Sequence, residues 1–486
     1  MLRPFFVHCR PSADHDERFD TVMMMNGSVA VLNRIAGEMT GTPGLAIDET
    51  WMGSDPQWQK PDALFDFLSE EIERALSNDD EPVVFCTLMS YNAVNAIRLV
   101  ENLKRVFGSR LRTGVGGQLT RVNPEAYINN PAIDHVSVGD AEVTLAPLLL
   151  ERKRFVRGYK SITPDNHYAA PLYEHYLGLE SRLDEMSRYE FGPFRGIRQL
   201  VTESVRGCSW ANAYKVCKFC SLQGVETAPL FRNIPDHLRI ERELAEQHGA
   251  NWIFDVSNLW LPTVNQMDAQ AWLRHYLRLK EQVGGPSLSR YVYMTSNALT
   301  QSSARLLYQA GVRVVYIGLD GWDAGTNRAL YKPKIHAWKP LAACRDAGIK
   351  VRTSTVIGSG LTRENIRALP DFVSNTLAEF GDTILSWGNF LEIVLPGSED
   401  WQNFERESER HDLVEVMDIF RFFREHGYLP LDMEDRLTEL RIQHYERDVP
   451  FDDIIASRDA AVAAVKQSSA FSVTIRESEK LDAPRD

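Results

Sequence analysis

The sequence predicts an α/β protein: a doubly wound, Rossmann-like parallel sheet, then a partial (β/α)6 TIM-like barrel, then a helical C-terminal region. Three observations predict it. Short apolar runs alternate with amphipathic helical stretches over the first 150 residues. The alternation breaks off and resumes near residue 197 for six more strands, and beyond about residue 400 only helical periodicity remains. Parallel strands joined by crossover helices require this kind of alternation.

At 486 residues the chain is too long for one ordinary domain. The pattern divides it into a sheet domain at 1–150, a connector at 151–196, the barrel at 197–400 and the helical region at 401–486. In the first domain, strands are expected at 4–9, 83–88, 112–116 and 135–138. Helices are read from Ala63, Leu64, Phe67, Leu68, Ile72 and Leu76, and from Val94, Ile97, Val100, Leu103 and Val106. Ligands of such sheets sit beyond the carboxyl ends of the strands. Those ends carry Thr87 and Ser90, the run Gly116-Gly117-Gln118, and Gly139 to Glu142. Glycine after a strand either admits a ligand to the backbone or merely makes the turn, and the turn is the commoner use.

The connector opens with Arg152, Lys153, Arg154, Arg157 and Lys160, a charge run read as solvated surface, followed by Pro164 and Pro171. The barrel strands are expected at 199–204, 252–256, 291–295, 314–319, 351–357 and 388–395. Thr300 should cap a helix that Gly311 ends, and Thr362 another. In the last region Leu413, Val416, Met417, Phe420 and Phe423 make one apolar face that Gly427 stops, and the final fifteen residues are expected to be disordered.

The composition, 44% hydrophobic and 25% charged, is that of a soluble globular protein. No apolar run approaches the roughly 20 residues of a membrane span. Asp14, His15, Asp16 and Glu17 interrupt any export signal, so the expected location is cytoplasmic. The formal charge of −13 argues against nucleic acid as a partner. Six cysteines, Cys9, Cys86, Cys208, Cys217, Cys220 and Cys344, do not make a disulfide framework.

Three of them fall in the segment Arg206-Gly207-Cys208, eight residues, Cys217-Lys218-Phe219-Cys220. Three thiolates on one loop suit three irons of a 4Fe-4S cluster, leaving the fourth iron open to a small molecule. Structural zinc wants four ligands, and the nearest additional candidates, His237 and His248, lack the usual paired spacing. Burial as plain core cysteines sits badly with Arg206, Asn212, Lys215 and Lys218 in the same segment. The spacing favours metal binding, with iron–sulfur ahead of zinc.

Cys208-x8-Cys217-x2-Cys220 after the first barrel strand, with Phe219 before the last cysteine, resembles the cluster motif of radical S-adenosylmethionine (SAM) enzymes. Their commonest spacing is C-x3-C-x2-C, so this loop is five residues longer; natural-product and peptide-maturing members carry such lengthened loops. The resemblance covers about 195–400. Its later landmarks are Trp252 to Asp255, Ser296 to Thr300, Gly318-Leu319-Asp320-Gly321 with Lys332, Ile357 to Gly360 and Leu395 to Ser398. Gly114-Val115-Gly116-Gly117 and Val138 to Glu142 resemble the cobalamin-binding module fused ahead of the barrel in one class of these enzymes, although no Asp-x-His-x-x-Gly stretch is present.

That resemblance implies a 4Fe-4S cluster on Cys208, Cys217 and Cys220, and cleavage of S-adenosyl-L-methionine to a 5′-deoxyadenosyl radical. It implies SAM contacts from Phe219, from Asp255 to the ammonium, from Asn297 and Asp320 to the ribose, from Lys332 to the carboxylate, and from the backbone of Ile357 and Gly358 to adenine. Asp255 has the alternative use of a helix cap, and Lys332 that of an ordinary surface lysine. Cobalamin is expected near Thr87, Ser90, Gly116, Gly117 and Gln118. The implied reaction is methyl transfer to an unactivated carbon of a small-molecule natural product or peptide, with flavodoxin or ferredoxin as reductant. A cyclase, cross-linking enzyme or epimerase that keeps the fold without using cobalamin is the alternative, and a zinc-stabilised, non-catalytic binding protein a further one. Trp210, Trp260, Trp322 and Trp387 are candidates for the cavity wall, each more often core when taken singly.

Overall fold

Six parallel strands, two more than the apolar runs announce, build the first sheet. They are β1 (Leu2–His8), β2 (Leu45–Asp48), β3 (Glu81–Leu88), β4 (Arg112–Gly117), β5 (His135–Gly139) and β6 (Phe155–Gly158), in the order β2-β1-β3-β4-β5-β6. The computed structural model describes residues 1–11, 26–41, 43–52, 58, 60, 62–159, 170–188, 190–191, 194–222, 228–332, 338–468 and 471–472. Lys160, Pro164 and all but Ser472 of the last fifteen residues lie outside these.

Strand β3 sits centrally and is buried from Pro82 to Leu88, the near-continuous apolar run that a strand covered on both faces needs. The other additional strand, β6, overturns the reading of the basic run as a mere connector. Phe155 to Gly158 pair with Val136 to Gly139 and form the sheet's edge. Arg154 and Arg157 flank or occupy that edge, where charged side chains discourage pairing with another chain. Arg152 lies 2.9 Å from Glu81 at the start of β3.

Gly117 ends β4 with φ near 114°, and a Cβ there would stand 2.6 Å from the carbonyl oxygen of Leu88. Gly117→Ala is therefore expected to lower stability by about 2 kcal/mol. Urea unfolding of the full chain measures this, and a curve superimposable on wild type would contradict the close approach.

By packing, the described residues fall into two compact units. The first lies within Met1–Ile162, Tyr168–Leu183 and Glu407–Glu434; the second includes Asp184–Arg406 and the described part of Asp435–Asp486. The helical region is thus not one body. Helix Val414–His426 belongs to the first unit, where Asn123 Nδ2 donates to Phe423 O (2.7 Å) and Tyr127 OH to Gly427 O (2.5 Å).

The second unit contains β7 (Gln199–Thr202), β8 (Trp252–Asp255), β9 (Ser289–Met294), β10 (Val312–Gly318), β11 (Lys350–Ile357) and β12 (Ile384–Leu391). All are parallel and neighbours in sequence order, with β13 (Phe471–Ser472) added beside β12. This is the partial (β/α)6 array the pattern predicts. The caps hold as well: Thr300 and Ser303 form a reciprocal capping box, Gly311 ends that helix in the left-handed region, and Thr362 pairs with Asn365 in the same way. Among the described residues, no helix is long and apolar enough to cross a membrane.

Candidate functional site

The cysteine loop leaves β7 through a two-residue antiparallel pairing of Val205–Arg206 with Leu230–Phe231. A short helix, Ser209–Ala213, follows Cys208, and the second half is a turn in which Cys220 N donates to Cys217 O at 2.9 Å. These two local structures bring all three sulfurs to one cavity of about 370 Å³. It opens at the carboxyl ends of the strands, where βα arrays place their chemistry.

Burial pushes the Cys217 thiol up and that of Cys220 up to about 11; the Cys208 and Cys217 charges push the latter in the same direction, and Lys332 opposes both shifts. Burial and the neighbouring sulfurs thus disfavour the thiolates of Cys217 and Cys220, and an iron–sulfur cube is a cationic core that would offset this. Among the described residues, no three His, Cys, Asp or Glu side chains are arranged to hold a single metal ion. A four-iron cube instead spreads three thiolates over three corners. His237, considered as a zinc ligand, has Nε2 3.1 Å from Glu241 Oε1 and does not line the cavity, and His248 closes its helix.

Across from the cysteines, Lys332 Nζ lies 2.9 Å from Asp320 Oδ2. Burial works against the lysine charge, but Asp320 and Cys217 outweigh it and hold its pKa above the usual value. The ammonium stands 5.6 Å from the Trp210 ring and 5.8 Å from that of Phe219, an aromatic cradle for a cation. Gly318 makes room for the Asp320 carboxylate, since a Cβ there would meet it at 2.5 Å. Phe219, Asp320 and Lys332 line the same cavity as the three cysteines.

Other expected contacts fall elsewhere. Asp255 is buried, and its Oδ1 accepts from Ser204 N, Ser257 N and Ser257 Oγ (3.3, 3.1 and 2.5 Å). It neither lines the cavity nor caps a helix; it ties together the loops after β7 and β8. Asn297 faces a separate groove and its carbonyl accepts from Gln266, while its neighbour Ser296 reaches the cysteine cavity. Ile357 is core, its carbonyl accepting from Glu392 N at 2.8 Å, and the carbonyl of Gly358 accepts from Arg441. The carbonyls of the backbone expected to meet adenine thus each already accept a hydrogen bond within the protein. Of the four tryptophans only Trp210 lines the cavity. Trp260 and Trp387 are fully buried core, and Trp322 packs on that core with its Nε1 donating to Asn365 O.

Sequence reasoning missed the barrel's inner wall. Tyr293, Tyr316, Ser354 and Phe390 line the cavity, the Tyr316 hydroxyl donating to Ser354 Oγ at 2.5 Å. Part of their signal was present: Tyr291 and Tyr293 alternate about Val292, and Tyr316 and Ser354 stand in strands otherwise read as apolar.

In the first unit the strand order reverses between β1 and β3, the crevice where doubly wound sheets bind ligands. A buried polar cluster occupies it. His8 Nδ1 lies 2.7 Å from Thr87 Oγ1, 2.8 Å from Asn26 Nδ2 and 3.1 Å from Asn92 Nδ2. Burial lowers the His8 pKa against the opposing pull of Asp48, so the ring is neutral at pH 7. Thr87 is at the expected edge, bound to His8. Ser90 is half-buried in the turn before Asn92, and Gln118 opens helix Gln118–Val122. Gly116 is filled from one side by Phe85 and Ser137, each 3.2 Å from where a Cβ would stand. The glycines of β4 are accordingly explained by packing. His8, Asn26, Asp48 and Asn92 were missed; a histidine ending the run Phe5-Phe6-Val7 was the available clue.

No protein-family model matches the sequence, and no curated protein sequence does. Solved structures match in fold. One is TsrM, a radical S-adenosylmethionine methyltransferase from Kitasatospora setae, with cobalamin and a [4Fe-4S] cluster bound: TM-score 0.55, 16% identity, 82% of this chain and 74% of that one. TsrM with tryptophan substrate and the SAM analogue aza-SAM bound matches at TM-score 0.54, with 16% identity over 80% of this chain and 73% of that one. Another is OxsB, a cobalamin-dependent S-adenosylmethionine radical enzyme with aqua-cobalamin and S-adenosylmethionine bound: TM-score 0.61, 11% identity, 90% of this chain and 66% of that one. The chain has the fold of cobalamin-dependent radical SAM enzymes. At these identities the likeness is one of architecture.

Proposed function

We propose that this chain is a radical SAM enzyme, a cobalamin-dependent methyltransferase acting on an unactivated carbon of a natural product or peptide. The observation that carries the proposal is the meeting of Cys208, Cys217 and Cys220 at one cavity with the Asp320–Lys332 pair. The three cysteines would hold a 4Fe-4S cluster by three irons. Lys332 presents an ammonium to a carboxylate, and Asp320 an acceptor to ribose hydroxyls. Trp210 and Phe219 wall the site with apolar surface. The volume of about 370 Å³ is within the usual range for a small-molecule site.

When bound, the cluster supplies the electron that cleaves the SAM sulfonium, and cobalamin the methyl group to be transferred. The switch-point crevice with its polar cluster, together with the fold shared with TsrM and OxsB, supports cobalamin in the first unit. The packing of Phe85 over the β4 glycines favours a second reading, a cyclase, cross-linking enzyme or epimerase that keeps this fold without the cofactor. A flavodoxin or ferredoxin is the proposed reductant.

Anaerobic purification and reconstitution test the proposal. A brown protein with about four irons per chain that converts SAM to 5′-deoxyadenosine is expected. Colourless protein with stoichiometric zinc would overturn it. The absorbance of extracted cofactor decides between the two enzyme readings.

A further inference from the structure

Two lysines of the cysteine loop are not used in the proposed chemistry, and both reach the start of helix Glu399–Arg410. Lys215 does so at the surface, with Nζ 2.9 Å from Glu399 Oε2. Lys218, the residue after Cys217 in the turn, goes inward. Its Nζ lies 2.8 Å from Asp400 Oδ1, and its own carbonyl accepts from Asp400 N at 3.3 Å. One aspartate thus holds the turn residue by both its side chain and its backbone.

Asp400 is only 1% exposed and is held from the other side, Arg441 Nη2 lying 3.0 Å from its Oδ2. Arg441 is fully buried. It also donates to Ser359 Oγ at 2.7 Å and to Gly358 O, and has Glu392 Oε2 at 3.3 Å. Lys218 Nζ donates to the same Ser359 hydroxyl at 3.3 Å. A Cβ on Gly358 would stand 2.6 Å from Glu392 Cβ, so glycine alone fits there.

A buried ionic cluster of this kind is weak as a source of stability, because desolvation consumes most of what the pairing returns. What it supplies is geometry: Asp400 lies between Lys218 and Arg441, and both of those side chains reach the Ser359 hydroxyl after β11. We infer that Lys218 is a positioning residue, clamped by the Asp400–Arg441 pair so that the Cys217–Cys220 turn is fixed against the end of β11. The clamp is a property of the polypeptide itself. Its consequence, the orientation of two of the cluster's thiolates and hence of the open iron, rests on the proposed function. Groups that orient metal ligands commonly change affinity or activity by about 10–100-fold when removed.

Hydrogen exchange of the metal-free full-length chain tests the clamp directly. Lys218→Met leaves Asp400 paired with Arg441 and removes the side-chain links from the turn to Asp400 and Ser359. The amide of Cys220 is expected to exchange at least about tenfold faster in K218M and in D400N, with β9 and β10 unchanged and K218R restoring protection. After anaerobic reconstitution the two variants should keep about four irons. Their affinity for SAM should fall by about tenfold or more, with a smaller SAM-induced change in the cluster's electron paramagnetic resonance signal. Wild-type exchange in both variants would overturn the clamp. Faster exchange throughout the second unit would reduce the cluster of charges to a structural element and overturn the positioning role. If the wild-type chain takes up no iron, the proposed function fails while the exchange result still decides the clamp.

Discussion

Cys217→Ala is expected to emerge from anaerobic reconstitution without the brown colour, its iron falling from about four per chain to a trace, and to form no 5′-deoxyadenosine. The expectation follows from the charges at the site. Burial already pushes the Cys220 thiol up to about 11, so ionising it depends on a cationic core nearby. With Cys217 removed, only two thiolates would remain to hold the cluster. Cys344→Ala is the matched control. That thiol lies in the core between the helices and strands, pushed by burial up to about 12, and touches no part of the cavity. It should load as much iron as wild type at a cost of about 1 kcal/mol in stability. Equal iron in C217A and C344A would remove the cysteine loop from the chemistry altogether.

The cysteine loop was legible because its information is local: three cysteines within one loop after one strand declare themselves by residue type and spacing. Strand count in the second unit was legible for a related reason, since strands buried on both faces read as apolar runs, as in Trp252 to Phe254. The two strands that were not foreseen lack that signature. Strand β2 has only four residues, and β6 is an edge strand embedded in arginines.

The candidate contacts divide along the same line. Asp320 and Lys332 lie twelve residues apart and meet in the cavity. Asp255 was assigned a ligand because a carboxylate ends its strand, yet two serines from separate loops take that oxygen. The Asp400–Arg441–Lys218 cluster joins residues up to 223 positions apart, and nothing in residue type or spacing marks them as partners. Buried polar networks are set by tertiary packing, and the sequence shows their members singly.

A second such network governs how the barrel responds to acid. Glu241, on helix Ile234–His248, faces Arg290 at the start of β9; Arg290 Nε donates to Oε1 at 3.1 Å and Nη2 to Oε2, and both side chains are about 2% exposed. Burial alone would raise the Glu241 pKa, but Arg290 and then His237 reverse that and depress it to about 2. A depressed carboxylate contributes stability that is complete above its unfolded pKa, near 4.5, and lost as the pH falls towards the folded value. The difference corresponds to stabilisation on the order of 3 kcal/mol. Urea unfolding between pH 5 and pH 2 should therefore show the second unit's transition weakening steeply. In Glu241→Gln that component of the pH dependence should vanish. At pH 7 the variant should be less stable by about 3–5 kcal/mol, because Arg290 keeps its charge in the interior with its hydrogen-bonded counter-ion removed. Parallel pH profiles for the two proteins would mean that Arg290 is balanced by some other group and that Glu241 does not secure β9 to its helix.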